Sequence, residues 1–110
     1  MPRKDNRVVS KISTKAECYV CRHFFNAETL YPLEKHHFLH GRGTRKLADS
    51  WGLFAYVCSR HHRQIHDQGK FDKELQHIAQ ETFIKERMKE GMPEDAAREY
   101  FKQIFGRFYP

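Results

Sequence analysis

From Phe71 to Gly106 the apolar positions recur at helical spacing. Leu75, Ile78, Ala79, Phe83, Ile84 and Met88 fall three and four residues apart, which predicts an amphipathic helix capped at Asp72 and ended by Gly91. Pro93 suits the first turn of a second helix, where Glu94 and Asp95 complement the positive end of the dipole. Ala97, Tyr100, Phe101, Ile104 and Phe105 form its apolar stripe, and Gly106 closes it. This pair reads as scaffold. Upstream the pattern is shorter and less regular. Leu53, Phe54, Ala55, Tyr56 and Val57 make a strand-like run, Leu33 to Phe38 makes another, and Gly41 and Gly43 break the chain between them. The opening MPRKDNRVVSKISTK has few apolar positions beyond Val8, Val9 and Ile12 and reads as an arm, either a solvated leader or a contact for phosphates.

Composition narrows this picture. A chain of 110 residues with 39% hydrophobic and 14% aromatic residues supports one modest core, and a core of that size gains from a metal staple. Three segments follow: an arm at 1–15, a core at 16–70 and a helical extension at 71–110. Net charge is +6 overall, and it divides into +4, +3 and −1 over those segments, so the basic surface belongs to the first two. Such a balance favours a polyanionic partner. No apolar run is long enough to span a membrane, and the polar N-terminus lacks a signal-peptide core, so the expected location is the cytoplasm. There an odd set of three cysteines suits metal better than a disulfide framework.

All three cysteines and most of the histidines fall between residues 18 and 68. Cys18-Tyr-Val-Cys21 has the spacing that lets a tight knuckle present both sulfurs to one tetrahedral ion, and Cys58-Ser-Arg-His61 repeats it with histidine last. Together they predict a closed Cys3His zinc site. Reduced core thiols, or a redox pair at Cys18 and Cys21, are the other readings of these residues. If the segment after Cys58 is helical, His62 and His66 share a face, and His61 points about 100° away from His62. His36 and His37 end an extended run where neighbours point to opposite sides, so one can bind metal while the other faces substrate. A three-imidazole site with open positions suits a divalent metal that holds phosphate oxygen and water together. Arg42, Arg45, Lys46, Arg60 and Arg63 are interspersed here, and guanidinium forks match phosphate oxygens without reading base sequence.

Cys18-x-x-Cys21, Leu33-Glu-Lys-His36-His37 and Val57-Cys58-x-x-His61-His62-x-x-x-His66 together resemble the HNH, or ββα-metal, endonucleases. With GRGTRK, GLFAYVCSRHH and the closing IFGRFYP, the pattern is similar to small HNH-like proteins of phages and prophages, some described as recombination-associated nucleases. The resemblance implies an α+β fold: a zinc-stapled treble-clef ββα-metal core with the C-terminal helical pair added. It implies His36, His62 and His66 as ligands of a catalytic divalent metal, Mg2+ or another, and His37 as the general base. The chemistry implied is hydrolysis of DNA phosphodiesters to 5′ phosphate and 3′ hydroxyl ends. The implied setting is phage recombination, replication or packaging in a bacterial host cell, with phage or host recombination and replication proteins as further partners. A non-catalytic zinc-finger module that binds DNA or recruits a protein is the alternative. One departure stands out: the family's central asparagine falls at 50–53, where this chain has Ser50, Trp51, Gly52 and Leu53. Ser50 or a backbone carbonyl is expected in its place, or the metal site is degenerate. His23, His40 and His77 receive no role.

Overall fold

The computed structural model describes residues 10–12, 17–39 and 43–109. Arg42, His40 and most of the N-terminal arm lie outside these residues. Among the described residues five helices and one two-stranded sheet follow in the order α1 (Tyr19–Phe25), β1 (Leu33–His37), α2 (Thr44–Ser50), β2 (Phe54–Cys58), α3 (Ser59–Gln68), α4 (Asp72–Lys89) and α5 (Glu94–Phe105). The architecture is a small α+β fold.

β1 and β2 pair antiparallel, with Leu33 opposite Cys58, His36 opposite Ala55 and His37 opposite Phe54. β2 is almost wholly buried, and its end is also the start of α3, because Cys58 is both the last strand residue and the N-cap. α1 begins in a similar way at Cys18, whose side chain accepts a hydrogen bond from the Cys21 backbone N–H. Neither α1 nor α2 is visible in the apolar pattern. Each has seven residues, two turns, too short for a helical period to show.

The strongly periodic C-terminal stretch forms two helices with boundaries close to those expected. The cap differs: Phe71, held in the left-handed region at φ 65°, is the N-cap of α4, and Asp72 is the first helical residue. Phe71 adopts this conformation while packed against Phe24 and Phe25, a tertiary gain that overrides the local preference for a polar cap. Pro93 likewise sits one position earlier than expected, as the N-cap of α5.

Leu75, Ala79, Phe83 and Ile84 from α4 and Ala97 and Phe101 from α5 join Phe38, Leu39, Ala48, Leu53 and Val57 in the buried interior. Met88, on the same sequence stripe, is 42% exposed. Trp51 fastens the α2–β2 connection to the helical pair. Its ring meets Phe83 edge-on at 5.1 Å, and the Arg87 guanidinium lies over it at 4.7 Å while pairing with Glu90. Residues 10–12 lie against the β2 entrance, where the Lys11 backbone N–H donates to the Gly52 carbonyl at 2.9 Å.

The fully buried Gln80 amide clamps the chain end. Its Nε2 donates to the Tyr109 carbonyl at 2.7 Å, and its Oε1 accepts from the Tyr109 N–H at 2.6 Å. Leaving a buried polar group without its partner costs about 1–3 kcal/mol. Gln80→Ala strands two such groups, and part of the loss is recovered if the tail opens to water. The expected fall in unfolding free energy is therefore about 2 kcal/mol, read as a lower urea midpoint with an unchanged slope.

Candidate metal centres

The first cluster is built twice by one device. Cys18 and Cys58 are helix N-caps, and Cys21 and His61 sit three residues further on, within the first turns of α1 and α3. The β1–β2 hairpin brings these two helix starts together. All four ligand atoms lie within 4.8 Å of one another. Cys21 Sγ is 3.9 Å from Cys58 Sγ, and His61 Nδ1 is 3.7, 3.4 and 3.3 Å from the sulfurs of Cys18, Cys21 and Cys58. A tetrahedral zinc ion with its ordinary bond lengths requires sulfur–sulfur separations of about 3.8 Å and sulfur–nitrogen separations of about 3.6 Å. The donor set therefore fits zinc.

Electrostatics agree with the geometry. Burial, and then the neighbouring Cys18 and Cys58 sulfurs, push the Cys21 thiol up to about 12. Three buried sulfurs cannot ionise together without a cation among them, and a thiolate-bound metal supplies that charge. Burial, with Arg60 nearby, lowers the His61 pKa and keeps its imidazole neutral to lower pH, as a ligand must be. The three cysteines form no disulfide.

The second cluster joins β1 to α3. The ligand atoms of His36, His62 and His66 also fall within 4.8 Å of one another, and the Nε2 atoms of His62 and His66 are 3.0 Å apart. The four-residue spacing on α3 places the last two on one face, and His36 meets them from the sheet, with ring centroids 4.9 and 5.5 Å away. His36 is buried, at 3% exposure.

The two-residue period of β1 sorts its side chains. Glu34 and His36 point towards α3, where the Glu34 carboxylate holds His62 Nδ1 at 2.5 Å. That contact puts the proton of His62 on Nδ1 and leaves Nε2 directed at His66, the arrangement by which a carboxylate fixes the tautomer of a ligating imidazole. Lys35 and His37 point towards α2, where both meet Asp49: its Oδ1 lies 2.6 Å from Lys35 Nζ and 3.1 Å from His37 Nε2. Burial alone would raise the Asp49 pKa. The hydrogen bonds and charges of Lys35 and His37 outweigh it and hold the carboxyl below its ordinary range. Asp49 thus remains an anion behind His37. Ser50 does not take this place, since its hydroxyl is turned back to the Leu47 carbonyl at 2.8 Å.

Lys35, His36, His37, Arg45, His62 and His66 line one open hollow of about 280 Å3. His37 therefore faces the same space as the three-histidine cluster. Of the basic residues singled out in the sequence, Arg45 lines this hollow, Lys46 is exposed nearby on α2, and Arg60 and Arg63 are exposed on α3. His23 stacks on Tyr19 and His77 lies 3.7 Å from Glu81, and neither belongs to either cluster.

Glu34 and Asp49 were not singled out by sequence. Glu34 had a usable signal: in a strand, the residue two before a ligand shares its face. Asp49 had none, because it depends on the short helix α2. Replacing Glu34 by alanine is expected to weaken divalent-metal binding at the three-histidine cluster by about 10–100-fold. Competition with a chromogenic chelator measures this, and the sulfur-rich site should hold its zinc unchanged.

No protein-family model, curated protein or solved structure matches the chain.

Proposed function

We propose that the chain is a metal-dependent DNA endonuclease of the HNH, ββα-metal kind. One observation carries the reading: three histidines converge from a strand and a helix, while His37, the next residue on that strand, faces the same hollow with an anionic carboxylate behind it. A zinc site alone would serve a binding module, but such a module has no use for a buttressed imidazole beside a separate imidazole cluster. The treble-clef assignment is supported by the Cys18–Cys21 knuckle, the β1–β2 hairpin and the start of α3, which carries the other two ligands.

In this reading Cys18, Cys21, Cys58 and His61 hold a structural zinc ion, and His36, His62 and His66 hold a catalytic divalent metal. When bound, that metal supplies positive charge against the phosphate oxygens and the departing 3′ oxygen. Asp49 keeps a proton on His37 Nε2, so Nδ1 carries the lone pair and takes the proton from the attacking water. Water oxygen bonds to phosphorus as the bond from phosphorus to the 3′ oxygen breaks; the departing oxygen takes a proton from solvent to become the hydroxyl, and His37 returns the proton it took to solvent. Arg45 donates to a phosphate oxygen from the rim of the hollow, and Lys46, Arg60, Arg63 and Arg42 add contacts along the backbone of the DNA. These contacts read charge and shape, so base preference is weak. A role in phage recombination, replication or packaging, alongside proteins of those processes, follows from the sequence resemblance alone.

The test is incubation of supercoiled plasmid with the purified chain and magnesium, manganese, nickel or zinc in turn. Nicked circles are the expected product. Plasmid left intact with every metal overturns the enzyme reading and leaves the zinc-finger module.

A further inference from the structure

A second recessed surface lies on the other side of α3. It is a hollow of about 380 Å3 walled by Phe25, Leu30, Tyr31 and Phe71, with Arg60 and Lys70 among its lining residues and the zinc ligands Cys21, Cys58 and His61 at its base. Phe25 is 57% exposed, Leu30 80% and Tyr31 44%, a concentration of open apolar surface that marks a recognition site. The Phe25 ring is already held in place, stacked parallel on His61 with centroids 5.6 Å apart and met edge-on by Phe71 at 5.9 Å. A ring fixed before binding loses little freedom when something stacks on it.

Charge and continuity identify the occupant. Among the described residues, Glu28 is the one acid lining this hollow, against Arg60 and Lys70. An adjoining depression joins Tyr31 to Arg60 and Arg63. At about 100° per residue, Arg63 and then Arg60 follow His66 around α3 and lead to Gln64 and His61. A basic strip therefore runs from the three-histidine cluster to the aromatic hollow. Interleaved cations and open aromatic faces along one path suit a sugar–phosphate backbone carrying bases free to stack. A bound acidic peptide would use the cations and the apolar wall, but it would have no need of the path to the histidines.

We propose that this hollow receives an unpaired base of single-stranded DNA, with the flanking phosphates on Arg60, Arg63 and Lys70. The proposal rests on the nuclease reading for its consequence: the preferred substrate is duplex with unpaired nucleotides beside the cut.

Fluorescence anisotropy of the zinc-bound full chain with a short dye-labelled oligothymidylate, and with a blunt duplex of equal length, tests the subsite without any cleavage. Phe25→Ala and Tyr31→Ala are each expected to weaken oligothymidylate binding by about five- to a hundredfold, the value of one stacked base. Duplex binding should change far less, and Phe25→Trp and Tyr31→Trp should retain tight binding. Zinc content confirms that each variant is folded. Unchanged oligothymidylate affinity in both alanine variants, or an equal loss for the duplex, overturns the proposal. So does a synthetic Asp- and Leu-rich peptide that binds through Phe25 and Tyr31 when oligothymidylate does not. A chain that binds oligothymidylate as described yet cuts no DNA upholds the subsite and overturns the nuclease reading alone.

Discussion

His37→Ala is expected to slow plasmid nicking by about 10²–10⁴-fold, the contribution of a positioned general base. Zinc content should not change, because His37 is not among the four residues of the sulfur-rich cluster, and thermal unfolding should fall only slightly, because Asp49 loses one hydrogen bond but keeps Lys35. The physical reason for so large an effect is the arrangement around the ring. Asp49, itself anchored by Lys35, accepts a hydrogen bond from His37 Nε2–H, which fixes both the tautomer and the direction of Nδ1. Without the imidazole, water in the hollow would have no base aligned with it, although a metal held by His36, His62 and His66 would remain. Initial nicking rates at saturating metal measure the loss. A variant that nicks as fast as the parent chain would show that the proton goes elsewhere.

Cys58→Ser is expected to have an effect of a different kind, on folding rather than on rate. Serine nearly preserves the shape of the side chain, so a loss of structure would be traceable to the metal. Structural zinc contributes about 10–16 kcal/mol of apparent binding free energy in small zinc-dependent folds, while a whole domain is stable by only about 5–15 kcal/mol. Cys58 ends β2, caps α3 and supplies one of four ligands, so its loss separates α1 from the hairpin and from α3 together. The expected result is loss of zinc by metal analysis and a large fall in helical circular dichroism at physiological temperature. Chelation of the parent chain should reproduce both. Full helicity and an unchanged melting temperature in Cys58→Ser would show that the apolar core stands without the staple.

The two predictions separate because the clusters draw on different sides of one helix. His61 turns towards the sulfurs, and His62, about 100° further on, turns towards His36. That division was legible in the sequence, since it needs only the helical period after Cys58 and the two-residue period before Phe38. The long helices were legible for a similar reason: eighteen residues in α4 and twelve in α5 give their apolar stripes room to repeat.

What escaped was set by tertiary contact. α1 and α2 span two turns each, and their positions follow from the sulfur cluster and from packing on the sheet. Because α2 leaves no mark on the apolar pattern, nothing in the sequence places Asp49 behind His37, and the family resemblance points instead to Ser50, whose hydroxyl serves its own helix. Phe71 as a left-handed cap and Gln80 as a buried clamp invert ordinary preferences. The packing of the Phe24 and Phe25 rings against Phe71 and the two hydrogen bonds between Tyr109 and Gln80 make those exceptions stable, and neither shows in a local pattern.

In the proposed nuclease, one cluster holds the fold while the other runs the reaction. The most direct measurement titrates manganese into chain already carrying one equivalent of zinc and follows plasmid nicking alongside circular dichroism. The expected result is no nicking before manganese, a rise that saturates as one further site fills, constant helicity throughout, and loss of both the site and the nicking in His62→Ala. Nicking that is complete with the single zinc, or that rises equally in His62→Ala, would contradict it.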